Sequence, residues 1–196
     1  QWQHNTMLEA QLTYWREQLH APLPALALPT DHPREATWYV RTARQSRALP
    51  STLYARLVRL SQQEGSTLFM TCLAAFKICL YASTGQEDLC VATLVANRTR
   101  PETEGLIGLV VNTVMLRTNL AGNPLGRELL QRVRATTLAA YAHQDVPFEE
   151  VMRMLEGEPK RQRTALSPVL VIWQNAMLWS LYYSTRTLSF ETMEQS

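Results

Sequence analysis

The stretch from Val110 to Leu116, Val-Val-Asn-Thr-Val-Met-Leu, constrains this chain more than any other. It is aliphatic and β-branched on both parities, the pattern of a strand buried on both faces. Asn112 and Thr113 interrupt it. Such a strand holds a carboxamide and a hydroxyl only if both are paired, because an unpaired buried polar group costs about 1–3 kcal/mol. Two readings stand. In the plainer one the pair bonds to neighbouring backbone or water, and from the strand alone that reading leads. In the other the pair faces a cavity or channel through which a polar ligand passes. Gly108, just upstream, marks a bend or a close backbone approach.

With 196 residues, 46% of them hydrophobic, the chain has the means to bury a real core. The length suits one large domain or one lobe of a larger one. Charge is nearly balanced, with a net +2 and no basic block, so nothing points to nucleic acid. No apolar run approaches the roughly 20 residues needed to span a bilayer, and no membrane is expected as a partner. The start, Gln-Trp-Gln-His-Asn, has no signal-peptide pattern and no initiator Met, so the chain reads as a piece of something longer. Cys72, Cys79 and Cys90 sit in apolar surroundings without metal-ligand spacing. They read as buried reduced thiols, which suits the cytoplasm.

Taken in order, Thr6 to Leu19 has the apolar spacing of a helix (Leu8, Leu12, Trp15, Leu19), with Thr6 as its cap and Trp15 as a core or interface anchor. Four prolines between Ala21 and Pro33 keep that segment extended, with a turn at Thr30 to Pro33. Trp38 to Ala48 reads as a strand with solvated arginines at 41, 44 and 47. Ser51 to Glu64 is an amphipathic helix capped by Ser51 and stopped at Gly65. Ser66 then caps Thr67 to Ala82, a helix apolar nearly all round and therefore expected to be buried, which Gly85 ends. Asp88 to Val95 is a second two-faced strand.

The polar loop Asn97 to Pro101 leads from that strand towards the Asn-Thr strand. A polar loop between two buried strands is a layout in which loops carry function. Asn97 and Arg98 therefore join Asn112 and Thr113 as candidate binding residues. After a turn at Asn119 to Pro124, Leu125 to Ala142 is a helix with Leu129, Leu130, Val133 and Leu138 on its core side. Asp145 reads as the cap of a helix starting at Pro147, with Phe148, Val151 and Leu155 on its apolar side. Gly157 to Thr164 is a charged loop, and Pro168 to Trp173 a further strand. Interleaved strands and helices make the fold class α/β, a mixed sheet flanked by helices.

No catalytic set emerges from the residues. The four histidines are dispersed, and neither a Gly-x-Ser-x-Gly elbow nor a Gly-rich phosphate loop occurs. His143 and Asp145 are the one plausible acid-base pair, and their spacing beside a helix start fits capping better. No catalytic residue is assigned, and nothing suggests a metal or nucleotide.

Several motifs, in one order, match a family. Gly65-Ser-Thr-Leu-Phe-Met70, Thr84-Gly-Gln-Glu-Asp-Leu89, Ala96-Asn-Arg-Thr-Arg-Pro-Glu-Thr103, Ile107-Gly-Leu-Val-Val-Asn-Thr113 with Arg117, and His143-Gln-Asp-Val-Pro-Phe-Glu149 lead the set. Leu12-Thr-Tyr-Trp-Arg-Glu-Gln-Leu19, Leu28-Pro-Thr-Asp31 and Gln174-Asn-Ala176 complete it. The chain resembles the C-terminal lobe of the condensation domains of nonribosomal peptide synthetases, which have a chloramphenicol-acetyltransferase-like fold. The resemblance implies that residues 1–196 are the C-terminal part of such a domain, without its N-terminal lobe and the last segment of the C-terminal lobe.

The parent activity it implies is amide formation, in which an acceptor amine attacks a donor thioester. Both substrates ride on phosphopantetheine arms of carrier proteins, with no cofactor bound directly. The implied partners are peptidyl and aminoacyl carrier proteins, the N-terminal lobe and neighbouring synthetase domains. The arms enter a tunnel between two lobes, which shifts Asn112 and Thr113 towards a tunnel wall. The family's His-His-x-x-x-Asp-Gly signature does not occur in these residues, Val110 replaces the motif's Phe, and Leu166 stands where the family's Arg-Asp-x-Ser-Arg-x-Pro segment has its second Arg. Without that signature the chain is expected to be inactive alone. A non-catalytic carrier-binding or scaffolding remnant is the competing reading, and a sister epimerisation or cyclisation domain a third.

Overall fold

A computed structural model describes residues 2–20, 25–31, 42–98, 111–156, 169–174 and 187–193. Helix α1 spans Trp2–Gln18 and β1 spans Thr42–Ala48. Next come α2 (Ser51–Gln63), α3 (Leu68–Thr84), β2 (Asp88–Val95) and β3 (Asn112–Asn119). Helices α4 (Gly126–Ala142) and α5 (Phe148–Glu156) precede β4 (Leu170–Val171) and β5 (Thr187–Met193). The main sheet has the order β3-β2-β4, with β2 antiparallel to β3 and parallel to β4. A separate antiparallel ribbon pairs β1 with β5. The mixed sheet flanked by helices matches the expected α/β class.

The register pairs Leu89 with Thr118, Val91 with Leu116, Thr93 with Val114 and Val95 with Asn112. Side chains alternate along a strand, so these eight residues share one face, and all eight are buried. Helices α3 and α4 pack on the sheet, contributing Phe69, Met70, Leu73, Ala74, Leu80, Leu129, Leu130, Val133 and Ala140 to the core. Full burial of each large aliphatic side chain contributes roughly 1.5–3 kcal/mol. Trp15, 2% exposed, is a core anchor as expected.

Several local expectations are corrected. β3 begins at Asn112 rather than Val110, so the Asn-Thr pair opens the strand instead of interrupting it. Residues 99–110, the rest of that motif, lie outside the described residues. α1 is already helical at Thr6, which therefore does not cap it. Ser51 is the first residue of α2, after Pro50, and no side chain caps that helix. Gly65 does end it: at φ +59°, Gly65 N donates to Gln62 O at 3.2 Å and Ser66 N to Ser61 O at 2.8 Å. That double closure is the Schellman arrangement.

The cap of α3 is Thr67, whose Oγ1 accepts Met70 N at 3.2 Å, while Ser66 points its hydroxyl back to Ser61 O and Thr71. α3 is not buried all round: Ile78 is 47% and Tyr81 40% exposed, and Cys79 on the same helix is exposed. Apolar content, unlike contact, carries no direction, so it cannot separate that outer face from the core. Cys90 is buried as expected and Cys72 partly so. On α4 the buried series passes through Thr137, whose hydroxyl bonds Val133 O at 2.7 Å, and Leu138 faces out at 45% exposed. Pro168 lies outside the described residues, and the strand expected there is reduced to the two-residue β4.

Candidate functional site at the open end of the sheet

The step of one residue from Asn112 to Thr113 is a step from one face of the sheet to the other. Asn112, 8% exposed, points to the helix-covered face and meets the turn between α4 and α5. Its Nδ2 donates to Gln144 O and to Val146 O, both at 2.7 Å. Its Oδ1 accepts Thr113 N at 2.9 Å and Phe148 N at 3.1 Å. A carboxamide has two donor hydrogens and two acceptor lone pairs, so all four are in use. Phe148 opens α5, so Asn112 performs the capping that the sequence assigns to Asp145.

Asp145 instead accepts Gln11 Nε2 at 3.3 Å. The same turn is gripped from α1 by Trp15, whose Nε1 donates to His143 O at 2.8 Å. The His143 ring stacks on Tyr14, centroids 3.9 Å apart, with Nδ1 against Ala139 O at 2.8 Å. His143 and Asp145 are thus engaged by different α1 residues. Among the described residues Gln11 Oε1 is the buried side-chain atom left without a partner.

Thr113 lies on the opposite face, half-buried, and its hydroxyl makes no hydrogen bond among the described residues. By register that face carries Met115 and Arg117 beside Ala92 and Cys90, with Leu94 paired to Thr113 and Leu170 beside Ala92. Leu170 is 36% exposed, Ile172 just after β4 48%, and Val111 just before β3 48%. At the other end Arg117 is clamped. Its Nη2 meets Asp88 Oδ2 at 2.6 Å, and its Nη1 donates to Gln18 O and His20 O, both at 3.1 Å. The bond to Asp88 pushes the guanidinium pKa further up. The chain leaving α1 is therefore tied at the Arg117 end, and among the described residues the Thr113 end carries the partly exposed apolar side chains Val111, Leu170 and Ile172 around one hydroxyl. Asn97 and Arg98 leave β2 at this same end, two and three residues past Val95, the partner of Asn112. The structure brings the four candidate residues to one end of the sheet, and divides Asn112 from Thr113 by face.

Lys77 is a residue that the sequence patterns did not single out. It lies fully buried on α3, its Nζ donating to Leu116 O at 2.7 Å, Thr118 Oγ1 at 3.0 Å and Leu89 O at 3.1 Å. An ammonium has three donors, and all three are used. Burial pushes its pKa down to about 8. The signal was present, since Lys77 follows Leu73 by four residues and precedes Leu80 by three, in phase with the core face of α3. A surface depression lined by Arg117, Asn119 and Arg132 offers no uncommitted cation, because Arg132 bonds Glu128, Asn119 O and Ala121 O.

The fold defines an α/β lobe of the kind found in condensation domains. Similar architecture occurs in a four-domain nonribosomal peptide synthetase, holo-AB3403, with a TM-score of 0.76 at 24% identity over 87% of this chain and 13% of that one. SgcC5 from Streptomyces globisporus matches with a TM-score of 0.71 at 30% identity, over 76% of this chain and 33% of that one. The chain belongs to the condensation domain family, whose model matches residues 1–196. It is 50% identical over 177 residues to one of the linear gramicidin synthase proteins of Brevibacillus parabrevis, covering 90% of this chain. Another protein of the same synthase is 45% identical over all 196 residues. The chain spans only 3% and 2% of the lengths of these two curated relatives.

Proposed function

We propose that this chain supplies one wall of the substrate passage of an amide-forming condensation domain, and a surface for the carrier proteins that load it. In the reaction, the acceptor amine attacks the donor thioester carbonyl, the new C–N bond forms, and the donor's pantetheine thiol leaves. The chain's own part is to hold and orient. Its acid-base group is not among these residues, and the His-His-x-x-x-Asp-Gly signature is expected on the companion lobe.

The observation that carries the reading is the hydroxyl of Thr113, without a hydrogen bond among the described residues, on the sheet face that also carries its neighbour Leu94 and, across β2, the exposed Leu170. An extended pantetheine arm is part hydrocarbon and part amide, and such a shelf offers it burial and one hydrogen bond. The arm is substrate here, delivered by a carrier protein. Asn97 and Arg98, at the same sheet end, are placed to line the entrance. Asn112 contributes indirectly: with its four bonds spent inside the chain, it sets the position of β3 against the α4–α5 turn and so the placing of Thr113.

The test is a complete condensation domain carrying this chain, assayed with loaded donor and acceptor carriers. Thr113→Val keeps shape and removes the hydroxyl. A fall in amide formation per folded molecule at an unchanged melting midpoint supports the wall. Unchanged turnover overturns it and leaves a carrier-binding or scaffolding part for this lobe as the better reading.

A further inference from the structure

We propose that the exposed flank of α2, with the start of α4, is a docking surface for a carboxylate-bearing amphipathic helix from another domain of the synthetase. The inference rests on the function proposed for the chain, and it concerns a surface away from the passage wall.

α2 is a 13-residue helix in which Ser61 alone is buried. Leu53 and Leu60, seven residues apart, fall on one side and are 40% and 36% exposed. Arg56, three residues after Leu53 and four before Leu60, lies between them, and Arg59 lies next to it around the helix. Both arginines are exposed and neither has an ion pair among the described residues. The helix carries no acidic residue at all.

Beyond its end the surface continues onto α4. Arg127, whose side chain is 78% exposed, neutralises Glu64 at 2.8 Å. Gln131 Nε2 donates to Glu64 O at 3.1 Å and Arg134 Nε to Gly65 O at 2.8 Å. Those bonds fasten the first turns of α4 to the α2–α3 corner. They bring Leu125, the residue before α4 and 79% exposed, into the same region.

The result is a set of exposed leucines rimmed by arginines, with its two carboxylates, Glu64 and Glu128, already paired to Arg127 and Arg132. Apolar anchors ringed by charge are the anatomy of a protein interface. The rim selects a partner of opposite sign. A symmetric contact with a second copy would set Arg56 and Arg59 against their own counterparts, which like-charge repulsion disfavours. An acidic helix with apolar residues one turn apart satisfies both requirements.

The experiment uses the purified complete synthetase with a photo-crosslinking residue replacing Leu60 or Leu53, and Gln62 as the control on the other side of the helix. The expected product joins positions 53 and 60 to a peptide bearing two or more carboxylates on one helical face. The double variant Arg56→Glu, Arg59→Glu should lower its yield by about fivefold or more. The milder Arg56→Gln, Arg59→Gln pair guards against misfolding, with an unchanged melting midpoint as the check. Yields no higher than at position 62, a captured peptide without carboxylates, or capture of the same surface in a second copy would overturn the proposal. Amide formation is followed in the same preparation. Turnover retained without crosslinking sinks the docking surface alone, whereas turnover indifferent to Thr113→Val sinks the passage wall alone.

Discussion

Asn112 and Phe148 are thirty-six positions apart in sequence, yet Asn112 Oδ1 is the acceptor for the first backbone N–H of α5, at 3.1 Å. A helix cap is usually local, supplied by the residue just ahead of the helix. Here it comes from the first residue of a strand, and the same carboxamide holds two carbonyls of the preceding turn. One side chain therefore sets β3, the turn and α5 relative to each other.

Asn112→Ala strands the partners of four hydrogen bonds at once. Each buried group left unpaired costs about 1–3 kcal/mol, so a loss of roughly 3 kcal/mol or more is expected after partial relaxation. Denaturant unfolding measures it. A loss below about 1 kcal/mol would mean the carboxamide is not the clamp described. Asn112→Asp should recover little, because its second oxygen faces the carbonyls of Gln144 and Val146.

Lys77 gives the chain an alkaline signature. Its folded pKa, lowered by burial to about 8, lies below the 10.5 of an exposed lysine. Between those values the unfolded chain binds more protons than the folded one, so stability rises as pH increases through that window. The gain is on the order of 3 kcal/mol when complete. Unfolding of the native chain and of Lys77→Met, compared between pH 7 and 10, isolates it. The difference between the two should move in favour of the native chain as pH rises, and a flat difference refutes the assignment.

The three cysteines should separate by reactivity. Cys79 is exposed and should react with a thiol reagent in the native protein. Cys72, half-buried with its pKa raised by desolvation, should react slowly. Cys90 is buried and pushed up to about 11, so it should react only in denaturant. Stopped-flow labelling resolves the three classes, and early modification of Cys90 would contradict its placement.

Gly85 closes α3 in the left-handed region at φ +69°, with Gly85 N donating to Tyr81 O at 2.7 Å. An added Cβ meets nothing within 4 Å, so Gly85→Ala costs backbone strain alone, about 1 kcal/mol. Gly85→Asn should cost less. A thermal melt showing Ala as stable as Gly would refute the strain argument.

The sequence by itself determined the α/β class, the extent of most elements, the bounds of β2, the glycine stops at Gly65 and Gly85, and the family. Hydrophobic period, turn chemistry and ordered motifs are local properties, and they survive without coordinates. It also marked Asn97, Arg98, Asn112 and Thr113 as candidates and left the Asn-Thr pair open between a satisfied core pair and a channel wall. Only the tertiary structure divided that pair by face, because which parity of a strand meets the helices depends on what packs there. The same holds for Lys77, whose three acceptors come from β2 and β3, and for Leu138, Ile78 and Cys79, apolar by type but turned outward. Asp145 lost its capping role for the corresponding reason. A cap belongs to whichever oxygen reaches the helix start in space, and Asn112 arrives there only after the thirty-five intervening positions have folded back.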